Sequence, residues 1–423
     1  MNKFLLYFSV CLFACHSSGQ KAFHLSNKGI SCDGLLESSE QKIICGDASQ
    51  NAGSPRNAAV SVISATETRS YLWDNVSGSR FEKILSGKEQ YCFTGYSGSE
   101  KISSAWSFSK SMDFKWMSQC SSLFSFNDPG AAMNAKGQLM VASRDPSATA
   151  FYAYFSLLDP NGKSVWVKGL DHIDQLSGIR VIDGEHFLIA FRQKGAYIDG
   201  VSSKKYSIFS SLIVDQNAQI VQQIKYHIDN SSYIDFAIQT VESDPSGNLI
   251  YAGTILSKTR VNGLFVFKTD ASGKLLWSNQ YPTDKTIFSK SIVAKDSKSI
   301  VLFADAYGQQ GGFLIAELNA QNGDIVWQKA YEATAYMQIK KAYSSAKGYQ
   351  VFYDRLLNFA NFSLDQKGNS CFSSKDLLIK DKQAVEILTM NNDAKFTDSE
   401  HQWKPVNGGT LKRVEFAVEV DCK

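Results

Sequence analysis

The residues able to do chemistry are few and scattered. Six histidines stand at His16, His24, His172, His186, His227 and His401. None forms an H-E-x-x-H motif or another paired spacing that would put two imidazoles on one metal ion. His186 lies in the apolar run GEHFLIAF and reads as a strand-face residue. Asp171-His172-Ile-Asp174 is the one short cluster with metal-ligand or acid/base character, and a polar loop between strands explains it equally well. There is no G-x-S-x-G elbow and no Cys–His partnership for a nucleophile. No catalytic, cofactor-binding or metal-binding residue is therefore assigned, and no cofactor is expected.

The elements that would position any site are visible as a repeat. Five blocks share one design: YFSLLDPNGKSVW, SLIVDQNAQIVQ, FVFKTDASGKLLW, LIAELNAQNGDIVW and NFSLDQKGNSCF. Each is an apolar strand, a tight Asp/Asn…Gly turn and a second strand that usually carries Trp at a fixed place. That place is occupied by Trp166, Gln222, Trp277, Trp327 and Phe372, with Trp116 as an earlier partner in SMDFKWMSQC. The intervals are about 45–56 residues, the length of a four-stranded blade with moderate loops. Upstream strands fit between the blocks, as in MNAKGQLMVAS and DPSGNLIYAGTI. Asp159, Asp244, Asp270 and Asp365 each precede a glycine by three residues, at Gly162, Gly247, Gly273 and Gly368, and Asn134 with Gly137 repeats the spacing. Asp or Asn can accept hydrogen bonds from its own turn, and glycine supplies positive φ. One carboxylate per turn cannot supply the six to eight oxygens of a calcium site.

The pattern predicts an all-β propeller of four-stranded antiparallel blades. Seven blades are expected, with six as the alternative. Blade one covers about 79–120 and five more follow to about 376. QKIICGDAS and AAVSVISAT near the N-terminus, with AVEILTM and RVEFAVEVDC in the tail, then supply two strands each to a last blade. Such closure by N- and C-terminal strands removes open sheet edges.

The N-terminus reads MNKFLLYFSVCLFAC, with Lys3 before an apolar core too short to span a bilayer. Leu12-Phe13-Ala14-Cys15 resembles the lipobox of bacterial lipoproteins, although Phe13 departs from the usual small or β-branched residue. That resemblance implies a signal peptide over 1–14, palmitate on Cys15, a tether over 15–30 and one propeller domain over 31–423. His16 in place of Asp implies the outer membrane, periplasmic or surface-facing. An ordinary signal cut near Ser18-Gly19 and secretion is the other reading.

Six cysteines remain in the exported chain: Cys32, Cys45, Cys92, Cys120, Cys371 and Cys422. An even set in an oxidising compartment implies disulfides. Adjacency favours Cys32–Cys45, Cys92–Cys120 and Cys371–Cys422 among the possible pairings.

Asp159-Pro-Asn-Gly162-Lys-Ser-Val-Trp166, Asp270-Ala-Ser-Gly273-Lys-Leu-Leu-Trp277 and Asn322-Gly323-Asp-Ile-Val-Trp327 resemble repeats of the pyrroloquinoline-quinone type. The resemblance covers about 110–376 and implies that Trp116, Trp166, Trp277 and Trp327 dock between neighbouring blades. It degrades where Gln222 and Phe372 replace Trp and Ala218 replaces Gly. The family holds quinoprotein dehydrogenases and non-enzymatic outer-membrane assembly lipoproteins, so it carries fold and not function. The calcium site, catalytic Asp and vicinal cysteines of a quinone dehydrogenase are not found.

The net charge of +3 is spread along the chain, giving no reason to expect nucleic acid. The expected protein is a monomeric, lipid-anchored binding or scaffold propeller for a protein or glycan at the bacterial cell envelope. The alternative is a secreted propeller enzyme, either a quinone-type oxidoreductase or a carbohydrate-active lyase or hydrolase. Loops 196–207 and 229–236, rich in Tyr, Asp and Ser, have the composition of adaptable contact surfaces.

Overall fold

A computed structural model of the chain describes residues 22–25, 31–37, 41–48, 56–64, 67–73, 78–120, 124–125, 130–144, 152–171, 173–193, 208–228, 235–256, 261–283, 286–307, 312–332, 337–345, 347–355, 358–370, 374–375, 382–385, 387–391, 395–399, 401–406, 411–414 and 418–420. Cys15, Cys371, Phe372, Cys422, His172 and loop 196–207 lie outside these residues.

The described residues form a seven-bladed β-propeller without helices. Blade 1 is Ser31–Glu37, Gln41–Ala48, Asn57–Ser64 and Thr68–Trp73; blade 2 is Arg80–Ser86, Gln90–Ser97, Ile102–Ser109 and Phe114–Cys120. Blade 3 is Ala131–Met133, Leu139–Arg144, Ala153–Leu158 and Ser164–Leu170, with Phe124–Ser125 also paired to its second strand. Blade 4 is Ile173–Val181, Phe187–Gln193, Ile208–Val214 and Ile220–Ile228; blade 5 is Asp235–Ser243, Leu249–Leu256, Val261–Thr269 and Leu275–Pro282. Blade 6 is Thr286–Ala294, Ser299–Tyr307, Gly312–Asn319 and Ile325–Glu332. Blade 7 takes Met337–Ser345, Gly348–Arg355 and Asn358–Asp365 from one end of the chain and Ala22–Leu25 from the other, with Ala22 opposite Phe362.

Closure therefore differs in detail from the expectation. QKIICGDAS and AAVSVISAT are middle strands of a complete blade 1, whose outer edge takes the tail strand Leu411–Val414, and they are not part of the blade that closes the ring. One N-terminal strand closes the ring, and it lies within the segment expected as a tether. The tail does something else. Ser374–Lys375, Gln383–Ala384, Ile387–Asn391, Thr397–Asp398, Trp403–Val406, Leu411–Val414 and Val418–Val420 pair in turn with the outer edges of blades 6, 5, 4, 3, 2, 1 and 7. Each four-stranded blade gains a short fifth strand, and the tail forms a belt around the ring. An open outer edge is a template for unwanted strand pairing, so each belt strand covers part of a liability.

The core lies between blades. The middle strands, such as Ile208–Val214 and Gly312–Asn319, are buried almost without a break, because both faces of a blade meet a neighbour. Val301, Phe303, Phe313 and Ile315 of blade 6 pack with Tyr349, Val351 and Phe362 of blade 7. Between blades 1 and 2, Trp73 meets Phe108 edge-on with ring centroids 5.9 Å apart.

The Asp/Asn turns connect the first to the second strand and the third to the fourth strand, so they share one face of the ring. Asp159 Oδ1 accepts from the backbone N–H of Asn161 at 2.9 Å and of Lys163 at 2.8 Å. Asp365 and Asn134 do the same in their turns. The carboxylate oxygen is committed to its own turn. Gly162 closes its turn at φ +79°.

Cys92 and Cys120 are buried free thiols and do not form the expected disulfide. Cys92 sits opposite Ser107 and Cys120 opposite Ser103, on either side of the strand between them. Four residues along and two strands across is on the order of 16 Å, far beyond disulfide reach. Burial pushes both thiols up to about 12, so neither is a reactive thiolate near neutrality. Cys45 is buried on the second strand of blade 1, and Cys32 stands opposite its neighbour Gly46.

Candidate ligand site in the central channel

The innermost strand of each blade lines the channel, and six of them carry a bulge at one level. Against the second strand the register skips Asp33, Glu82, Ser177, Gln239, Lys290 and Lys340 in blades 1, 2, 4, 5, 6 and 7. A bulge sharpens the local twist and re-aims the residues after it. The second strand approaches closely there. A Cβ on Gly95 would stand 2.0 Å from Arg80 O, and one on Gly253 would stand 2.1 Å from Ala237 O.

Hydrogen bonds between blades fix this wall. Ser177 Oγ donates to Ile238 O at 2.6 Å, and Ala342 N donates to Ser291 Oγ at 3.2 Å. Asp305 of blade 6 accepts from Ile339 N of blade 7 at 2.7 Å, while its other oxygen is 3.4 Å from Lys290 Nζ. Burial pushes the Asp305 carboxyl up to about 6, against the opposing pull of Lys290.

Beyond the bulges, toward the face of the Asp/Asn turns, the strands of blades 2–7 line an open cavity of about 420 Å³. Its charged lining residues are Lys83, Arg180, Glu242 and Lys341, one each from blades 2, 4, 5 and 7. Lys83 is 7% exposed and its Nζ donates to Ala131 O of blade 3 at 2.6 Å. Arg180 Nε lies 3.5 Å from Glu242 Oε2 and Nη1 donates to Ile179 O at 3.0 Å. Lys341 Nζ lies 5.0 Å from the ring centre of Tyr343, which also lines the cavity. Ile179, Val181 and Ile292 add apolar wall, and Ser243 and Ser344 add hydroxyls. Among the described lining residues Glu242 is the one carboxylate, so these residues hold no carboxylate pair of the kind used for acid/base hydrolysis. Among the described residues no group of three or more His, Cys, Asp and Glu is placed to hold a metal ion.

The histidine and aspartate candidates lie apart from this cavity. Asp174 forms an ion pair with Arg192 on the adjacent strand, so its carboxylate serves the blade. His186 Nδ1 pairs with Asp183 of its own turn, and His401 packs edge-on against Tyr154 with ring centres 4.6 Å apart.

The tryptophans also lie elsewhere, on the outermost blade strand. Trp116 Nε1 donates to Pro160 O of the next blade at 2.8 Å, Trp166 Nε1 to Gln216 O at 2.9 Å, and Trp277 Nε1 to Ala320 O at 3.1 Å. The Trp327 ring lies on Gly368 of the next blade, while its Nε1 donates to Glu317 at 2.7 Å. A methyl on Gly162 or Gly368 would stand 2.5 Å from the indole laid across it. One further signal was present in the sequence and not read. Tyrosine follows four residues after the aromatic position in three blades, and Tyr226, Tyr281 and Tyr331 each donate to the carbonyl of the next blade's turn glycine, Gly273, Gly323 and Gly368. The four cavity charges share no such spacing. Ladder position, and not sequence interval, brings them together.

No known protein family's sequence profile matches the chain, and no curated protein matches it. Solved structures do resemble it. An ulvan lyase of polysaccharide lyase family PL25, bound to -[GlcA(1-4)Rha3S]-, superposes with a TM-score of 0.54 at 8% identity, covering 83% of this chain and 97% of the lyase. The β-propeller domain of the Trilobed protease from Pyrococcus furiosus, which has an open velcro topology, gives a TM-score of 0.46 at 8% identity over 88% of this chain and 99% of that domain. These likenesses are of fold.

Proposed function

We propose that the chain is a binding propeller that engages a protein or glycan of the bacterial envelope at the turn-face end of its channel, held at the membrane through a lipid on Cys15. The observation that carries the reading is the cavity itself, whose described walls come from six blades and carry one carboxylate, Glu242, which faces Arg180. Convergent side chains on a rigid wall suit recognition. Affinity capture from intact envelopes with the mature chain as bait tests it. A partner should be retained by the native protein and lost on Lys341→Gln, with the melting temperature unchanged. Equal capture by both proteins would overturn the cavity as the binding site.

A carbohydrate-active lyase is the second reading, motivated by the shared ring of the ulvan lyase, a likeness that carries fold alone. Elimination from an acidic polysaccharide leaves an unsaturated uronate, which absorbs ultraviolet light. Absorbance growing with enzyme and time would favour the lyase, and a flat trace would favour binding.

A further inference from the structure

We propose that the turn face of the ring docks on a lipid bilayer, through aliphatic side chains that its outermost blade strands turn outward; this rests on the lipid at Cys15 proposed above. The exposed large apolar side chains among the described residues are Val165, Val221, Leu276 and Val326, between 49% and 60% exposed. All four occupy one position. In blades 3, 4, 5 and 6 the register between the third and fourth strands skips that residue, just before Trp166, Gln222, Trp277 and Trp327. The skipped residue of a bulge leaves the ladder, and its side chain is re-aimed. Blade 2 has the same bulge with exposed Lys115, so the fold does not demand an apolar residue there. Single exposed aliphatics are ordinary on a protein surface, but four at one bulge form a shared feature of the turn-face rim.

Equivalent positions on consecutive blades lie on one circle about the ring axis, at one level. A small folded partner meets one or two of them, whereas a flat surface meets all four. The entry of the chain into the ring selects that surface. Asn358–Asp365 runs toward the Asp365 turn, and Ala22 and Leu25 stand opposite Phe362 and Phe359. Ala22–Leu25 therefore enters from the turn face. Cys15 is seven residues before Ala22, and a chain of that length spans at most about 25 Å. A lipid on Cys15 thus holds the turn face toward the bilayer, at a distance the rim can close. Aliphatic side chains entering the headgroup boundary add to the hold of an acyl chain. The channel mouth beside the turns then opens toward the same membrane, so the partner sought there is one presented at its surface.

The test is tryptophan emission of the full acylated chain on vesicles of phosphatidylethanolamine and phosphatidylglycerol, with and without bromine on the acyl chains. Bromine quenches an indole that comes close to it, and Trp166, Trp277 and Trp327 each directly follow a bulge residue. Native emission should fall on the brominated vesicles. The combined variant Val165→Ser, Val221→Ser, Leu276→Ser and Val326→Ser should lose that quenching and keep the native melting temperature, because the four side chains are exposed. Lys115→Ser should be quenched like the native chain. Equal quenching of the native chain and the fourfold variant, or none in either, would overturn the proposal. So would a native dimer in detergent that the fourfold variant loses, which would give the rim to a second copy. A chain that takes up no palmitate has no tether, and the docking falls with it. The cavity is decided separately. Envelope capture that depends on Lys341, without quenching, leaves the cavity and removes the docking; quenching without such capture does the reverse.

Discussion

The seam between blades 5 and 6 and the seam between blades 4 and 5 solve one packing problem in two ways. In the first, three alternate residues of the outermost blade strand reach the next turn. Trp277 bonds Ala320 O at 3.1 Å, Asn279 Nδ2 bonds Asn322 O at 2.9 Å and Tyr281 bonds Gly323 O at 2.7 Å. In the second, Gln222, Ile224 and Tyr226 hold the same positions. Gln222 Nε2 bonds Ser272 O at 2.5 Å and Tyr226 bonds Gly273 O at 3.2 Å. The apolar bulk has moved by two residues. A Cβ on Gly273 would strike Ile224 Cδ1 at 1.8 Å, where its counterpart on Gly323 would meet Asn279 and the Trp277 ring. A missing tryptophan is therefore no sign of a missing latch. The bulk can sit at either of two positions on one strand face, and the turn glycine serves both.

The largest test of this contrast is truncation. Trp277→Ala should cost about 2–4 kcal/mol, slightly discounted because the ring is only partly buried. Gln222→Ala should cost under about 1 kcal/mol and Ile224→Ala more than that, about 1–2 kcal/mol. Urea unfolding of the three variants checks the ranking, and an equal cost for Trp277 and Gln222 would break the comparison.

A second test separates the outer latch between blades 5 and 6, built from neutral groups, from the inner end of the seam between blades 6 and 7. Asp305 is raised to about 6 in the folded protein by burial, above its unfolded value of 3.8. The folded state then binds the proton more tightly than the unfolded state. This contribution favours folding at low pH and is lost as pH rises from about 4 through about 6, by about 2–3 kcal/mol at most. Asp305→Asn should flatten that part of the stability profile, while Tyr281→Phe should leave its shape unchanged.

Tyr281→Phe should nonetheless lower stability by about 1 kcal/mol at every pH, because the Gly323 carbonyl loses its donor. Chemical denaturation at two pH values checks both statements. The smallest effect has the opposite sign. Ala218 sits at φ +63°, as Met112 does at +73° in blade 2, where the corresponding turns of blades 3, 5, 6 and 7 carry Gly162, Gly273, Gly323 and Gly368. Ala218→Gly should relieve that strain and raise stability by about 0.5–1 kcal/mol, net of the extra freedom of the unfolded chain. An unchanged or lower melting temperature would mean that the methyl group has a packing role at that turn.

The turns and the tryptophan ruler were legible because they are local. Asp159 and Gly162 act within one hairpin, and Trp277 keeps its interval from blade to blade. The Trp277-x-x-x-Tyr281 pairing was equally local and could have been read. Other features fail for physical reasons. Belt strands such as Gln383–Ala384 and Thr397–Asp398 span two residues, too short to display an alternation. Blade 1 lacks the Asp…Gly…Trp spacing, so QKIICGDAS and AAVSVISAT read as spare strands for a closing blade. Proximity along the chain pairs Cys92 with Cys120 and ignores the intervening strand. Lys83, Arg180, Glu242 and Lys341 meet only because seven inner strands face one axis, and loops of unequal length hide that in the sequence.

The belt also sets an order in time. Each blade from 1 to 6 can assemble its four strands as the chain emerges, but its outer edge waits for the tail. The tail then visits the blades in reverse of their synthesis, from Lys375 opposite Ala330 to Leu411 opposite Trp73, and finishes with Val420 opposite Phe23. The first strand described and the last thus meet in one sheet. A growing chain carries several half-finished edges until residues 374–420 have followed the blades out, and the ring fastens only once that belt is made.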